Sequence, residues 1–163
     1  VRARYFIADW ANKHESHQHK LARLIKLISS LHSKGYAVSL VAVSAGSSLA
    51  VSAFAARKNQ IHSVVSICGM FKHPKAVDVA VFALSPAFKA AMAAAAKAEL
   101  TLSVADRHKM LVVRAAHDSY VPNTHGHIAH AHTTTIPTVG HVFSIIMAIT
   151  IFRRRILRFV KQS

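Results

Sequence analysis

Cysteine is nearly absent: the 163 residues hold one, Cys68. It can form neither an internal disulfide nor a thiolate zinc cage, which excludes a disulfide-stapled secreted scaffold and permits a reducing, cytoplasmic location. Acids are scarce too, with Asp9, Glu15, Asp78, Glu99, Asp106 and Asp118 the whole set. Set against 21 Lys plus Arg they leave a net charge of +15, before any of the 13 His is protonated. Partners drawn to such a surface are anionic. Aromatic residues make up only 7% of the chain, and none interleave with basic residues as a base-stacking platform would, so no specific nucleic acid is expected. Gly46-Ser47-Ser48 lacks the Gly-Lys-Ser/Thr ending of a phosphate loop. The longest apolar stretch, residues 142–152, is interrupted by Ser144 and Thr150 and is too short to span a bilayer. Without a positively flanked apolar segment and small-residue cleavage site from residue 1 onward, no cleavable leader is expected there. The first residue is Val1 rather than Met, so the natural N-terminus is expected upstream.

What is present is apolar content of 52%, enough for a buried core, in a length that suits one domain over residues 1–163. Residues 5–8 form a short β-favouring run. Leu21, Leu24, Ile25, Leu27, Ile28 and Leu31 recur at helical spacing until Gly35, a helix stop. Residues 36–43 read as a strand buried on both faces, followed by a small-residue helix over 49–57 and a strand over 62–68. Residues 74–97 read as mostly helical, 110–115 as a strand, 122–130 as a short helix, 133–136 as a short strand and 141–160 as a final helix. This alternation predicts an α/β fold: a three-layer α/β/α arrangement around a mostly parallel sheet of about five strands.

In such a sheet, chemistry gathers where strands end and loops lead into helices. Three of these ends carry suggestive residues. Ala42-Val43-Ser44-Ala45-Gly46 puts Ser44 on a tight strand-to-helix turn, where the Ala45 N–H and the helix dipole would face an oxyanion formed by attack at Ser44. Asp118 is the one acid that follows a late buried strand at loop distance, although an acid there also suits a helix cap. His141 follows Gly140 after a short strand and opens the last helix. Serine, acid and histidine thus appear in that chain order.

Residues 36–68, 112–122 and 137–143 resemble the nucleophile, acid and histidine regions of the α/β-hydrolase superfamily, and the likeness extends from about Tyr5 to the C-terminus. The Asp118-x-x-Val121-Pro122 tail and the Gly140-His141 pair carry it, while Ala42 stands where G-x-S-x-G has its first glycine. The resemblance implies a reduced α/β-hydrolase fold and a serine esterase cleaving a carboxylic ester or thioester through an acyl-enzyme, with Ser44, Asp118 and His141 as the triad and no cofactor. It also implies that residues 71–109 form a cap-like insertion, in which Phe71, Val79, Val81, Phe82, Leu84, Phe88 and Met92 are candidates for an acyl pocket. In the family a second oxyanion donor comes from a loop after an earlier strand, often marked His-Gly, and no such pair precedes Tyr36. Either the run at 5–9 stands in that place, with a backbone N–H near Trp10 or Ala11 as donor, or that strand is missing. Loss of one donor costs roughly 10²–10³ in rate. The alternative reading is a weak or inactive relative that binds an anionic partner through its basic surface.

Two histidine sets, His125/His127/His130/His132 and His14/His17/His19, invite a metal. They lack carboxylate or thiolate partners apart from Glu15, so no metal site is expected. The basic segment Arg153-Arg154-Arg155-Ile156-Leu157-Arg158-Phe159-Val160-Lys161 reads as a helix packed by its apolar side, with an anionic surface or lipid as its candidate partner.

Overall fold

The computed structural model describes residues 2–72, 79–122 and 124–162. Seven helices and four strands follow one another among the described residues: α1 (His17–His32), β1 (Val38–Val43), α2 (Gly46–Ala56), β2 (Ile61–Ile67), α3 (Val79–Leu84), α4 (Pro86–Leu100), α5 (Val104–His108), β3 (Met110–His117), β4 (His132–Val139), α6 (His141–Thr150) and α7 (Arg153–Gln162). The strands form one sheet in the order β1-β2-β3-β4, and every neighbouring pair is parallel.

Strand β1, expected to be buried on both faces, is an edge strand covered on one, with Val41 and Val43 51% and 41% exposed on the other. Both faces of β2 and β3 are covered, and the period of two along each strand decides which side chain goes where. Val64, Met110 and Val112 point into a core shared with Leu24 and Ile28 of α1 and with Leu49, Val51, Ala53 and Phe54 of α2. Their strand neighbours Val65, Leu111 and Val113 point the other way, onto Ala148 of α6 and Ile156 of α7. Uncharged apolar runs are what a strand buried on both sides requires. Helix α1 stops where expected: the chain leaves it through Gly35 at φ +80°, a left-handed conformation that favours glycine.

Residues 5–8 depart from expectation, since they join no strand pair and the sheet has four strands rather than about five. Tyr5 and Ile7 point into solvent, while Phe6 and Ala8 pack against the α1 side of the core. A buried ion pair fastens this segment. Lys20 Nζ donates to the Glu15 carboxylate at 3.0 Å and to the Asp9 carbonyl at 2.7 Å, and Arg23 donates to the Ile7 carbonyl at 2.9 Å. The Lys20 ammonium holds the Glu15 carboxyl below its usual range. The expected final helix over 141–160 is two helices, because α6 lies on β3 and β4 while α7 lies on β2, and the chain must turn between them at Ile151 and Phe152. The described residues among 122–130 are turns rather than a helix. Of the helical stretch expected over 74–97, residues 74–78 lie outside the described residues, and the rest is α3 and most of α4, separated by Ser85.

His17, in the first turn of α1, is buried with its Nδ1 unpartnered, and burial pushes its pKa below the ordinary 6.5. The unfolded chain therefore binds a proton that the folded chain refuses. His17 opposes folding progressively as pH falls below about 6.5 toward its folded pKa, and does not oppose it above that value. Urea midpoints should drop between pH 7.5 and 5, and His17→Phe should flatten the drop relative to wild type. Equal slopes for the two proteins would refute this.

Candidate functional site

Three strand ends converge. Ser44 follows β1 with φ +47°, a conformation that costs a non-glycine residue about 1–2 kcal/mol. Its N–H donates to the Ile67 carbonyl at 2.9 Å, and the Met70 N–H donates back to the Ser44 carbonyl at 3.3 Å, so the end of β2 grips the turn. Close packing below explains the small residues around it. Ser66 Oγ donates to Ser47 Oγ at 2.9 Å, and a Cβ placed on Gly69 would stand 2.0 Å from Ser66 Oγ and 2.4 Å from Ser47 Oγ. No side chain fits at Gly69.

Asp118 lies just past β3. Its Oδ1 accepts from the N–H groups of Tyr120 and Val121, each at 2.9 Å, which curls the loop around the carboxylate and aims Oδ2 at His141. His141 opens α6 after Gly140, whose φ of +88° makes the turn and whose N–H donates to the His117 carbonyl at 2.9 Å. The buried Ser144 hydroxyl holds this corner, hydrogen-bonding both Thr138 Oγ1 and the Gly140 carbonyl.

The result is a hydrogen-bonded series. His141 Nδ1 lies 2.8 Å from Asp118 Oδ2, and His141 Nε2 lies 2.8 Å from Ser44 Oγ, across 97 residues of sequence. The carboxylate only accepts, so Nδ1 carries the proton and Nε2 turns a lone pair toward the serine hydroxyl. The Asp118 and His141 side chains are 4% and 11% exposed, which keeps bulk water from competing for these bonds.

The sequence reading did not include Cys68 in this neighbourhood. It follows β2 as Ser44 follows β1, at φ +46°, and its sulfur lies within 4.8 Å of ligand atoms of Asp118 and His141. Position at a strand end was the available signal. Burial, followed by the Asp118 charge, pushes the thiol up to about 11. The thiolate is the reactive form, so iodoacetamide at pH 8 should alkylate Cys68 hardly at all in the folded protein and readily in urea. Equal rates in the two states would contradict this. Among the described residues no other three potential metal ligands gather so closely, and the two histidine sets do not converge.

Ala45 leads into α2, and among the described residues no acceptor takes its N–H. Trp10 and Ala11 lie on a turn closed by the Asn12 N–H donating to the Asp9 carbonyl at 3.1 Å, with Asp9 at φ +47°. The Trp10 ring packs on Phe88 at 5.4 Å between centroids, in an apolar cluster of Phe82, Phe88 and Met92 that also touches Ala45 and Met70. Of the other residues considered for an acyl pocket, Phe71 belongs to the main core, Val81 and Leu84 are exposed, and the Val79 side chain is outside what is described.

No protein-family model matches the sequence, and no curated protein matches it. Solved structures do. A metagenome-derived lipolytic enzyme from the work on LipS and LipT superposes with a TM-score of 0.69 at 15% identity, covering 91% of this chain and 75% of that one. The monoacylglycerol lipase of Paleococcus ferrophilus gives 0.60 at 13% identity, with 92% and 77% covered. The meta-cleavage product hydrolase CumD of Pseudomonas fluorescens IP01 gives 0.60 at 12%, with 93% and 74% covered. With its four parallel strands flanked by helices, this chain has a reduced form of the α/β-hydrolase fold.

Proposed function

We propose that the protein is a serine hydrolase that cleaves a carboxylic ester or thioester through an acyl-enzyme. One observation carries the reading: Ser44, His141 and Asp118 hydrogen-bonded in series, with the serine on a strained turn. A hydroxyl facing an imidazole lone pair, with a shielded carboxylate behind, is the arrangement that makes serine a nucleophile near neutral pH. Lipases and other hydrolases among the structural neighbours support an ester-type substrate.

Ser44 Oγ attacks the acyl carbon while His141 Nε2 takes the hydroxyl proton. Asp118 stays ionised, fixes the ring and stabilises the imidazolium. The tetrahedral oxyanion is assigned to the Ala45 N–H at the positive end of α2, with a backbone N–H of Trp10 or Ala11 as the second donor. Collapse breaks the carbonyl carbon's bond to the leaving oxygen or sulfur, which receives the proton from His141. Water then attacks the acyl-enzyme and gives a proton to His141, and the second collapse returns that proton to Ser44 and frees the acid. The cluster of Phe82, Phe88 and Met92 beside Ala45 is the assigned acyl wall.

A fluorophosphonate probe tests this directly. It should form one adduct, mapped to Ser44 by peptide mass spectrometry, and the labelled protein should hydrolyse no short-chain p-nitrophenyl ester. An adduct on another residue, or none, would overturn the assignment.

A further inference from the structure

The outward side of α6 is built the wrong way round for a surface helix. Ser144 and Ala148 face the sheet, while Val142, Phe143, Ile146 and Ile149 face solvent with no charge among them. Their spacing places them on one stripe. On α7, which covers the same face of the sheet, Ile156, Phe159 and Val160 point inward, and Arg154, Arg158 and Lys161 share the opposite side at i, i+4 and i+7. No acid follows Asp118 in the chain to offset them. An exposed apolar stripe thus lies beside an unopposed cationic one.

We propose that this face docks on an anionic lipid bilayer surface, with the α6 stripe seated among acyl chains and the α7 cations on headgroup phosphates. Neither helix is long and apolar enough to cross a membrane, which leaves lying on the surface as the mode of contact. A polynucleotide would engage the cations and leave the apolar stripe unused. A second copy meeting this face about a twofold axis would bring like charges together. The exposed Tyr120, whose ring is 6.0 Å from His141, and Val142 beside His141 continue the apolar surface to the Ser44 site. Delivery of lipid esters along that rim rests on the hydrolase reading, whereas docking does not.

Co-sedimentation with phosphatidylcholine vesicles, alone and mixed with phosphatidylglycerol, tests docking on the full chain. Wild type should pellet only with the mixed vesicles and detach as salt rises. A near-surface cation is worth about fivefold in binding, so Arg154→Gln/Arg158→Gln/Lys161→Gln should weaken it roughly a hundredfold. Ile146→Gln/Ile149→Gln should weaken it at least about tenfold while circular dichroism stays unchanged. Ser44→Ala should bind as wild type, which separates docking from catalysis. The proposal falls if mixed vesicles are not bound, or if the Ile146→Gln/Ile149→Gln protein binds them as wild type does. Equal competition by duplex DNA against both proteins would assign the surface to polyanions instead.

Discussion

Ser44→Ala should leave a folded protein whose ester turnover falls by up to about 10⁶, the size of loss measured when a serine nucleophile is removed from an efficient triad. His141→Ala should fall to the same floor, and the double variant no lower, because the two groups act as a unit. Ser44→Gly probes the backbone conformation separately from the chemistry. Glycine tolerates φ +47° and alanine does not, so the glycine variant should be the more stable of the two by about 1–2 kcal/mol, a few degrees in Tm. Turnover by Ser44→Ala within tenfold of wild type would remove Ser44 from the mechanism.

Asp118→Asn should cost about 10⁴ in kcat with little loss of stability. The asparagine oxygen can still accept from the Tyr120 and Val121 N–H groups, so the loop keeps its shape. Its NH2 then occupies the place of Oδ2 and faces His141 Nδ1. Two donors cannot pair, so the ring takes the other tautomer, with Nδ1 accepting and Nε2 carrying a hydrogen toward Ser44. In that state the imidazole cannot take the serine proton. Asp118→Ala separates orientation from folding, since it also removes both loop hydrogen bonds and should lower Tm. If Asp118→Asn keeps a tenth or more of wild-type kcat, Asp118 only shapes the loop.

The parts of this molecule visible in its sequence are those set by local patterning. Strands β1, β2 and β3 are short, largely apolar runs, interrupted in β3 by Arg114, and α1 carries a clear apolar stripe closed by Gly35. Ser44 and Asp118 were legible as candidates because each directly follows a strand, and His141 because it follows β4 after a single glycine. Residues 5–8 have the same β-favouring composition as a strand, but pairing needs a neighbouring edge, and whether one is present is decided by tertiary structure. The break between α6 and α7 has no proline or glycine to announce it and arises from the two helices lying on different strands. Helix α5 did carry a signal: Ser103 and Asp106 cap each other, with Asp106 N–H donating to Ser103 Oγ at 3.1 Å and Ser103 N–H donating to Asp106 Oδ2 at 2.9 Å. The Lys20 bond to the Asp9 carbonyl and the tight packing of Gly69 on Ser47 bring together residues that no local pattern pairs.

Spatial order in the sheet repeats order along the chain, so each new strand docks beside the one before it and no earlier pairing has to open. A polypeptide emerging from its N-terminus can therefore assemble this architecture vectorially, one crossover at a time. The bond between Ser44 and His141 is the exception, since it waits until the fourth strand has been laid down. Most of the hydrophobic interior can therefore assemble before those two side chains are able to meet.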